Sequence, residues 1–301
     1  MSPPLRAATR GSKLALTQTR LVADMLGVDV EVVVVETVGD RVTDAPISAI
    51  GGQGVFVKEV QAAVLDGRAD FAVHSAKDLP SAPTPGLVIG AVPERADPRD
   101  ALVGGTLASL PAGAQVATGS VRRRAQLAWL RPDLTFAGLR GNMETRLSKA
   151  DSFDAIVVAA AALHRLGRAD RLTEVLDPLV MLPQVGQGAL AVECRDADEH
   201  TLALLAAIDH RPSRLAVEAE RAFLREVGGG CDLPVGAYAT VDATTGRVRL
   251  EAMVATGDGR VVVRHRDEGD DPEDLGRRVA RHLLDDAGGT MLLEPAGLQS
   301  R

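Results

Sequence analysis

Sulfur and aromatic rings are scarce in this chain. Its 301 residues include two cysteines, one tryptophan, one tyrosine and five phenylalanines. Two cysteines build no disulfide framework. An aromatic share of 2% provides no stacking platform for single-stranded nucleic acid. Long apolar runs are absent too: Val32–Val35 and Ala155–Leu163 are too short to span a bilayer. The start, Met-Ser-Pro-Pro-Leu-Arg, has no basic segment leading into an apolar export core. These features predict a cytoplasmic protein with reduced thiols, no membrane partner and no nucleic-acid partner. His164, His200 and His210 share no ligand spacing with the cysteines, so no metal is expected. Gly51-Gly52-Gln53-Gly54 lacks the lysine and hydroxyl of a phosphate-binding P-loop; a lid and an ordinary loop both fit it.

A chain of this length, 46% hydrophobic and 25% charged, predicts a globular protein of two or three domains. The net charge is −7, yet cations crowd one stretch. Between Thr118 and Lys149 stand Arg122, Arg123, Arg124, Arg131, Arg140, Arg146 and Lys149 against only Asp133 and Glu144. A local basic field in an acidic protein points to a small anionic ligand in a cleft.

The first ninety residues alternate strand and helix patterns: a strand at 5–9, a helix at 14–26, a β-branched strand at 30–37, a helix at 55–66 and a strand at 70–75. Strands at 115–118, 134–139 and 154–159 and helices at 121–130 and through Leu166 repeat the scheme. Alternation of this kind implies mostly parallel sheets flanked by helices. Ala8-Thr9-Arg10-Gly11-Ser12 is echoed by Ala117-Thr118-Gly119-Ser120, and Asp70-Phe71-Ala72-Val73 by Asp154-Ala155-Ile156-Val157. The echoes suggest two related α/β lobes facing across a cleft, with Leu182–Ala189 as hinge or crossover. From about Pro212 the pattern changes to a helix at 215–227, strands at 235–241, 248–256 and 260–266, a helix at 274–284 and a possible last strand at Met291–Leu293. That is an α+β domain with an antiparallel sheet.

Several residues stand where chemistry is done. Gly228-Gly229-Gly230 runs into Cys231; the turn suits presentation of a thiol, although a free cysteine also packs as a small hydrophobe. Cys194 alternates as a strand residue and is expected in the core. Lys77 and Asp78 follow a buried strand, where α/β folds place catalytic groups. Asp78 serves as a general acid/base or a turn cap. Ser12 and Ser120 stand at helix N-termini, where anions and ordinary capping compete as explanations. Arg10, Arg122, Arg123, Arg140 and Arg146 supply forks for carboxylates.

Read together, Ala8–Ser12, His74–Pro80, Asp97–Ala101, Ser120–Arg123, Arg140–Asn142, Val185–Ala189 and Gly229–Cys231 resemble the porphobilinogen deaminase (hydroxymethylbilane synthase) family. The resemblance implies two periplasmic-binding-protein-like lobes with mostly parallel sheets plus a C-terminal α+β domain. The implied domains are 1–95 with 187–208, then 96–186, then 209–301. It implies a monomeric transferase that joins four porphobilinogen molecules head to tail with loss of ammonia. The implied primer is a dipyrromethane held by a thioether to Cys231. Asp78 would be catalytic with Lys77 assisting. Ser12, Lys77, Asp78, Thr118, Ser120, Arg122, Arg123, Arg140, Gly141 and Gln187 would hold the cofactor, and Arg10, Ser12, Phe56, Arg140, Arg146 and Arg165 the substrate. Each pyrrole carries an acetate and a propionate, which matches an arginine-lined cleft. One departure is Gln53, where many members carry lysine, and no cationic role is assigned to that segment.

Overall fold

The structure is a computed structural model that describes residues 3–37, 57–229 and 232–293. The N-terminal part runs β1 (Leu5–Arg10), α1 (Lys13–Leu26), β2 (Val30–Val35), α2 (Lys58–Leu65), β3 (Phe71–Ser75) and β4 (Leu87–Ala91). The middle runs β5 (Asp100–Gly104), β6 (Gln115–Ala117), α3 (Val121–Leu130), β7 (Thr135–Ala137), α4 (Met143–Ser148), β8 (Ala155–Ala159), α5 (Ala160–Arg165) and β9 (Glu174–Val175). Then β10 (Leu190–Arg195) and α6 (Glu199–Ala206) return to the first part.

Two five-stranded sheets result, ordered β2-β1-β3-β10-β4 and β7-β6-β8-β5-β9. In each, four strands share one direction and the fourth position is antiparallel. The antiparallel strand in each sheet is the one that has just crossed from the other. β4 leads to β5 through 92–99, and β9 leads to β10 through 176–189. The sequence echoes fall where this topology requires: β1 and β6 occupy matching places, as do β3 and β8. Central strands carry the most apolar sequence. All five residues of β8 are buried, and Phe71, Leu102, Ile156 and Leu182 are sealed from water. Burial of one such side chain contributes about 1.5–3 kcal/mol. Cys194 lies in the first lobe's core beside Phe71 and Leu205.

The crossings lie close together, and two glycines make that possible. Gly186, at φ 70, leaves a Cβ only 3.0 Å from the backbone of Ala76 and Lys77. Gly188, at φ 86, would place a Cβ 2.5 Å from the Ala96 carbonyl. Both conformations disfavour side chains, so Gln187 is pressed between the turn after β3 and the first crossing.

The C-terminal part is α7 (Arg211–Glu226), β11 (Val235–Val241), β12 (Val248–Ala255), β13 (Val262–Gly269), α8 (Pro272–Arg281), a π-helical turn at His282–Asp286 and α9 (Gly289–Leu293). The strands form an antiparallel sheet ordered β11-β12-β13 around Phe223, Leu250 and Leu275. The strand expected at Met291–Leu293 is instead α9. Met and Leu are good helix formers without β-branching, and a helical turn packs Leu292 and Leu293 on this core. Among the described residues no helix is long and apolar enough to cross a membrane.

Glu220, on α7, is wholly buried and joins all three parts. Its carboxylate accepts from Arg95 of the first crossing at 2.6 Å, the Gly186 N–H of the second at 2.7 Å and the Ala239 N–H of β11 at 2.8 Å.

Candidate functional site

The site is built at strand ends that face the opposite lobe. β1 runs into Gly11 and Ser12, and Ser12 Oγ caps α1 by accepting from the Ala15 N–H at 3.3 Å. β3 runs into a single 3-10 turn, Ala76–Asp78, which puts Lys77 and Asp78 at the edge of the sheet. Arg10, Ser12, Gln18, His74, Ser75 and Asp78 line one cavity on the first lobe. Behind it His74 Nε2 lies 3.1 Å from Glu193, which also accepts from Gln61 at 2.9 Å. Burial pushes the Glu193 carboxyl up, but His74 and Gln61 outweigh it and the group stays below its usual range.

On the second lobe Ser120 Oγ caps α3 through the Arg123 N–H at 3.4 Å. Buried Thr118 accepts from the Ser120 N–H at 3.1 Å and shapes that turn. Arg122, Arg123 and Arg124 then fill the first turn of α3, which holds no acidic residue. Cations there oppose the helix dipole by about 0.3–1 kcal/mol each at exposed sites, so they are not placed for helix stability. Arg122 and Arg123 are buried against one carboxylate. Asp100, fully enclosed, lies 2.8 Å from Arg122 Nη1 and 2.7 Å from Arg123 Nη2. Arg122 also donates to the Leu182 carbonyl at 2.6 Å and Arg123 to the Val157 carbonyl at 3.0 Å. Burial raises the Asp100 carboxyl, yet the two guanidiniums hold it well below the carboxylate range.

Cations from both lobes converge on this pair. Burial and the Arg123 charge push Lys77 down to about 8, with Asp78 and Asp100 opposing and Arg146 adding to the fall. Burial and Arg123 likewise lower Arg146 to about 10, where Asp78 opposes and Arg140 adds. Arg146 donates back to the Gly141 carbonyl at 2.9 Å, while Arg140 and Gly141 are exposed. Arg165, lowered to about 10 by burial, donates to the Gly188 carbonyl at 2.7 Å. Ser120 and Arg122 border a second cavity with Gln184, Val185, Leu224, Leu233 and Val235, against the C-terminal domain on either side of the glycine turn. Across the cleft mouth Lys13 Nζ and Glu144 Oε1 lie 3.3 Å apart, and α1 touches α5.

The candidate residues therefore gather: Arg10, Ser12 and Asp78 on one wall, Arg140, Arg146 and Arg165 on the other, and Lys77, Arg123 and Gln187 between them. Cys231, Phe56 and the Gly51–Gly54 segment lie outside the described residues. Sequence reasoning overlooked Asp100, although two adjacent arginines at a helix start demand a counter-charge. It also overlooked Arg95 and Glu220, for which no local pattern exists. Among the described residues no group of three His, Cys, Asp or Glu is placed to hold a metal.

Comparison with known proteins gives matches along nearly the whole chain. Residues 5–203 match the family model described as "Porphobilinogen deaminase, dipyromethane cofactor binding domain". Residues 214–285 match "Porphobilinogen deaminase, C-terminal domain". A porphobilinogen deaminase of Brevibacillus brevis is 47% identical over 299 residues, covering 96% of each chain. That of Acidothermus cellulolyticus is 50% identical, covering 96% of this chain and 91% of its own. The Bacillus subtilis protein is 42% identical, covering 98% and 96%. Matches spanning both the lobes and the C-terminal region show that the chain belongs to the porphobilinogen deaminase family.

Proposed function

We propose that the chain joins four porphobilinogen molecules head to tail, with loss of one ammonia at each step, and that water then cleaves the tetrapyrrole from the primer as linear hydroxymethylbilane. One observation carries this reading: Lys77, Arg123, Arg140 and Arg146 cluster in the cleft, where burial first and the neighbouring cations second lower Lys77 and Arg146. The enclosed carboxylate of this cluster, Asp100, is paired with Arg122 and Arg123, and Asp78 lies near both Lys77 and Arg146. Such a donor set fits a ligand bearing several carboxylates, as a dipyrromethane with acetate and propionate arms does. Charge-assisted bonds to those arms are worth about 1.5–3 kcal/mol each.

Bound dipyrromethane supplies the fixed end to which new pyrroles are added. Cys231 would hold it through a thioether, a bond that does not ionise. Arg140, Arg146 and Arg165 bind carboxylates from the second-lobe side, and Lys77 and Arg10 from the first. The N-termini at Ser12 and Ser120 add oriented N–H groups, with Thr118 fixing the second turn. Arg122 and Arg123 contribute positive field from buried positions.

Asp78 is the acid–base group. It gives a proton to the departing amine at the substrate's aminomethyl carbon, then remains as an anion beside the cationic carbon. The surrounding arginines bind the ring side chains and leave Asp78 the nearest anion to that carbon.

The domain limits are taken as 1–95 with 187–208, 96–186 and 209–301. The protein is taken as a cytoplasmic monomer with no nucleic-acid partner. The test is to incubate the purified protein with porphobilinogen and follow ammonia and hydroxymethylbilane together. Both appear if the reading holds, in a ratio of four to one; substrate binding without ammonia release contradicts it.

A further inference from the structure

We propose that Gln187, anchored by Asp100, is a positioning residue that couples Lys77 of the first lobe to Arg123 of the second, and that it makes no contact with the ligand. The proposal rests on the reading of the cleft as a carboxylate site. Gln187 is completely buried. A carboxamide has two N–H donors and two acceptor lone pairs, and all four are used within the protein. Nε2 donates to the Pro98 carbonyl at 2.8 Å and to Asp100 Oδ1 at 2.9 Å. Oε1 accepts from Lys77 Nζ at 3.3 Å and Arg123 Nη2 at 3.4 Å.

Gln187 and its partners come from four separate places. Lys77 stands on the turn after β3, Arg123 on α3, Pro98 and Asp100 at the end of the first crossing, and Gln187 on the second. The amide cannot turn over without placing N–H groups against two cations and its oxygen against two acceptors. Gly186 and Gly188 bring it there by close backbone approach on both sides. Asp100 serves as the anchor because its Oδ1 takes Gln187 and Arg123 while Oδ2 takes Arg122. The unit thereby fixes the spacing of two cations that would otherwise repel, one from each lobe.

Lys77 reports on the unit. It is near Arg123 from α3, Arg146 from α4, Asp100 from β5 and Asp78 from its own turn, and its amine donates to the Gln187 oxygen. Loss of the amide oxygen, or of the Asp100 charge, removes a group that favours the protonated amine. The amine then loses its proton at lower pH.

The experiment compares the full-length protein with Gln187→Leu and Asp100→Asn at matched adduct content. The rate of Lys77 acylation by acetic anhydride is followed against pH by peptide mass, and the kcat/KM profile is recorded alongside. Both variants are expected to shift the Lys77 midpoint about one pH unit lower, with the alkaline limb of kcat/KM moving the same way. Gln187→Leu keeps the side-chain volume and leaves Asp100 paired with its arginines, so it carries the test if Asp100→Asn does not fold. A folded Gln187→Leu protein with an unmoved labelling midpoint overturns the proposal, even if its rate is reduced. If the unsubstituted protein forms no hydroxymethylbilane, the functional reading fails instead, and the labelling midpoint still decides the role of Gln187.

Discussion

The two lobes share a strand order but divide the chemistry. At the matching ends of β1 and β6, both place a serine that caps the following helix. At the matching ends of β3 and β8 they part. The first lobe continues into Ser75-Ala76-Lys77-Asp78, the second into Ala160-Ala161-Ala162. One lobe thus carries the acid and the other a featureless alanine turn. The cations show the reverse bias, with Arg122, Arg123, Arg140, Arg146 and Arg165 all on the second lobe. The pairing teaches that topology fixes where a site lies, whereas side chains at equivalent strand ends decide what each half does. Under the proposed function, a proton-transferring wall faces a carboxylate-binding wall, and Gln187 ties them together.

The contrast breaks most visibly at Asp78. Asp78→Ala is expected to keep the fold and lower ammonia release by about 10²–10⁴-fold, read from initial rates; near-wild-type turnover would move the acid elsewhere. Asp100→Asn tests the other wall. Removing one member of a buried ion-paired group costs about 3–5 kcal/mol, read as a lower urea midpoint. Because the Asp100 carboxyl is depressed on folding, its contribution is present above the usual carboxylate range and lost as pH falls through it. Arg140→Leu removes an exposed cation from the carboxylate wall. Loss of one charge-assisted bond, about 1.5–3 kcal/mol, predicts roughly 10- to 150-fold weaker assembly, read as the fraction of chain bearing the adduct.

Subtler effects sharpen the same picture. Lys77 binds carboxylates only as a cation, and its value near 8 means that substrate affinity falls as pH rises through that region. A KM that stays flat between pH 7 and 9 would remove Lys77 from the binding wall. The smallest effect is at the cleft mouth. Lys13 and Glu144 are 65% and 56% exposed, and exposed pairs are worth about 0.2–1 kcal/mol. Glu144→Gln should therefore change KM less than about fivefold, with the difference vanishing at high salt.

Local pattern made much of the architecture legible. The helix at 121–130 and the strand at 235–241 match the structure at both ends, because a serine cap and β-branched alternation are written in adjacent residues. The echo between 8–12 and 117–120 correctly signalled matching lobes. The last strand failed because three apolar residues do not distinguish a strand from a helical turn. Local signals singled out Lys77 and Asp78 as candidates, and the structure places both on the turn that follows β3. Gln187 was named through the family resemblance alone, and Asp100 was given no role, because both bond to partners more than twenty residues away in sequence, joined only when the chain crosses twice between lobes. Glu220 was invisible for the same reason: nothing near it in the helix announces that Arg95, Gly186 and Ala239 will meet on its carboxylate.

The account stands on a covalent primer at the glycine turn, and the most direct measurement is the mass of the denatured, intact protein made in a porphobilinogen-replete host, followed by peptide mapping. The expected result is one adduct equal to two linked pyrroles, located on the peptide that contains Cys231. An unmodified chain, or an adduct on another residue, would contradict it.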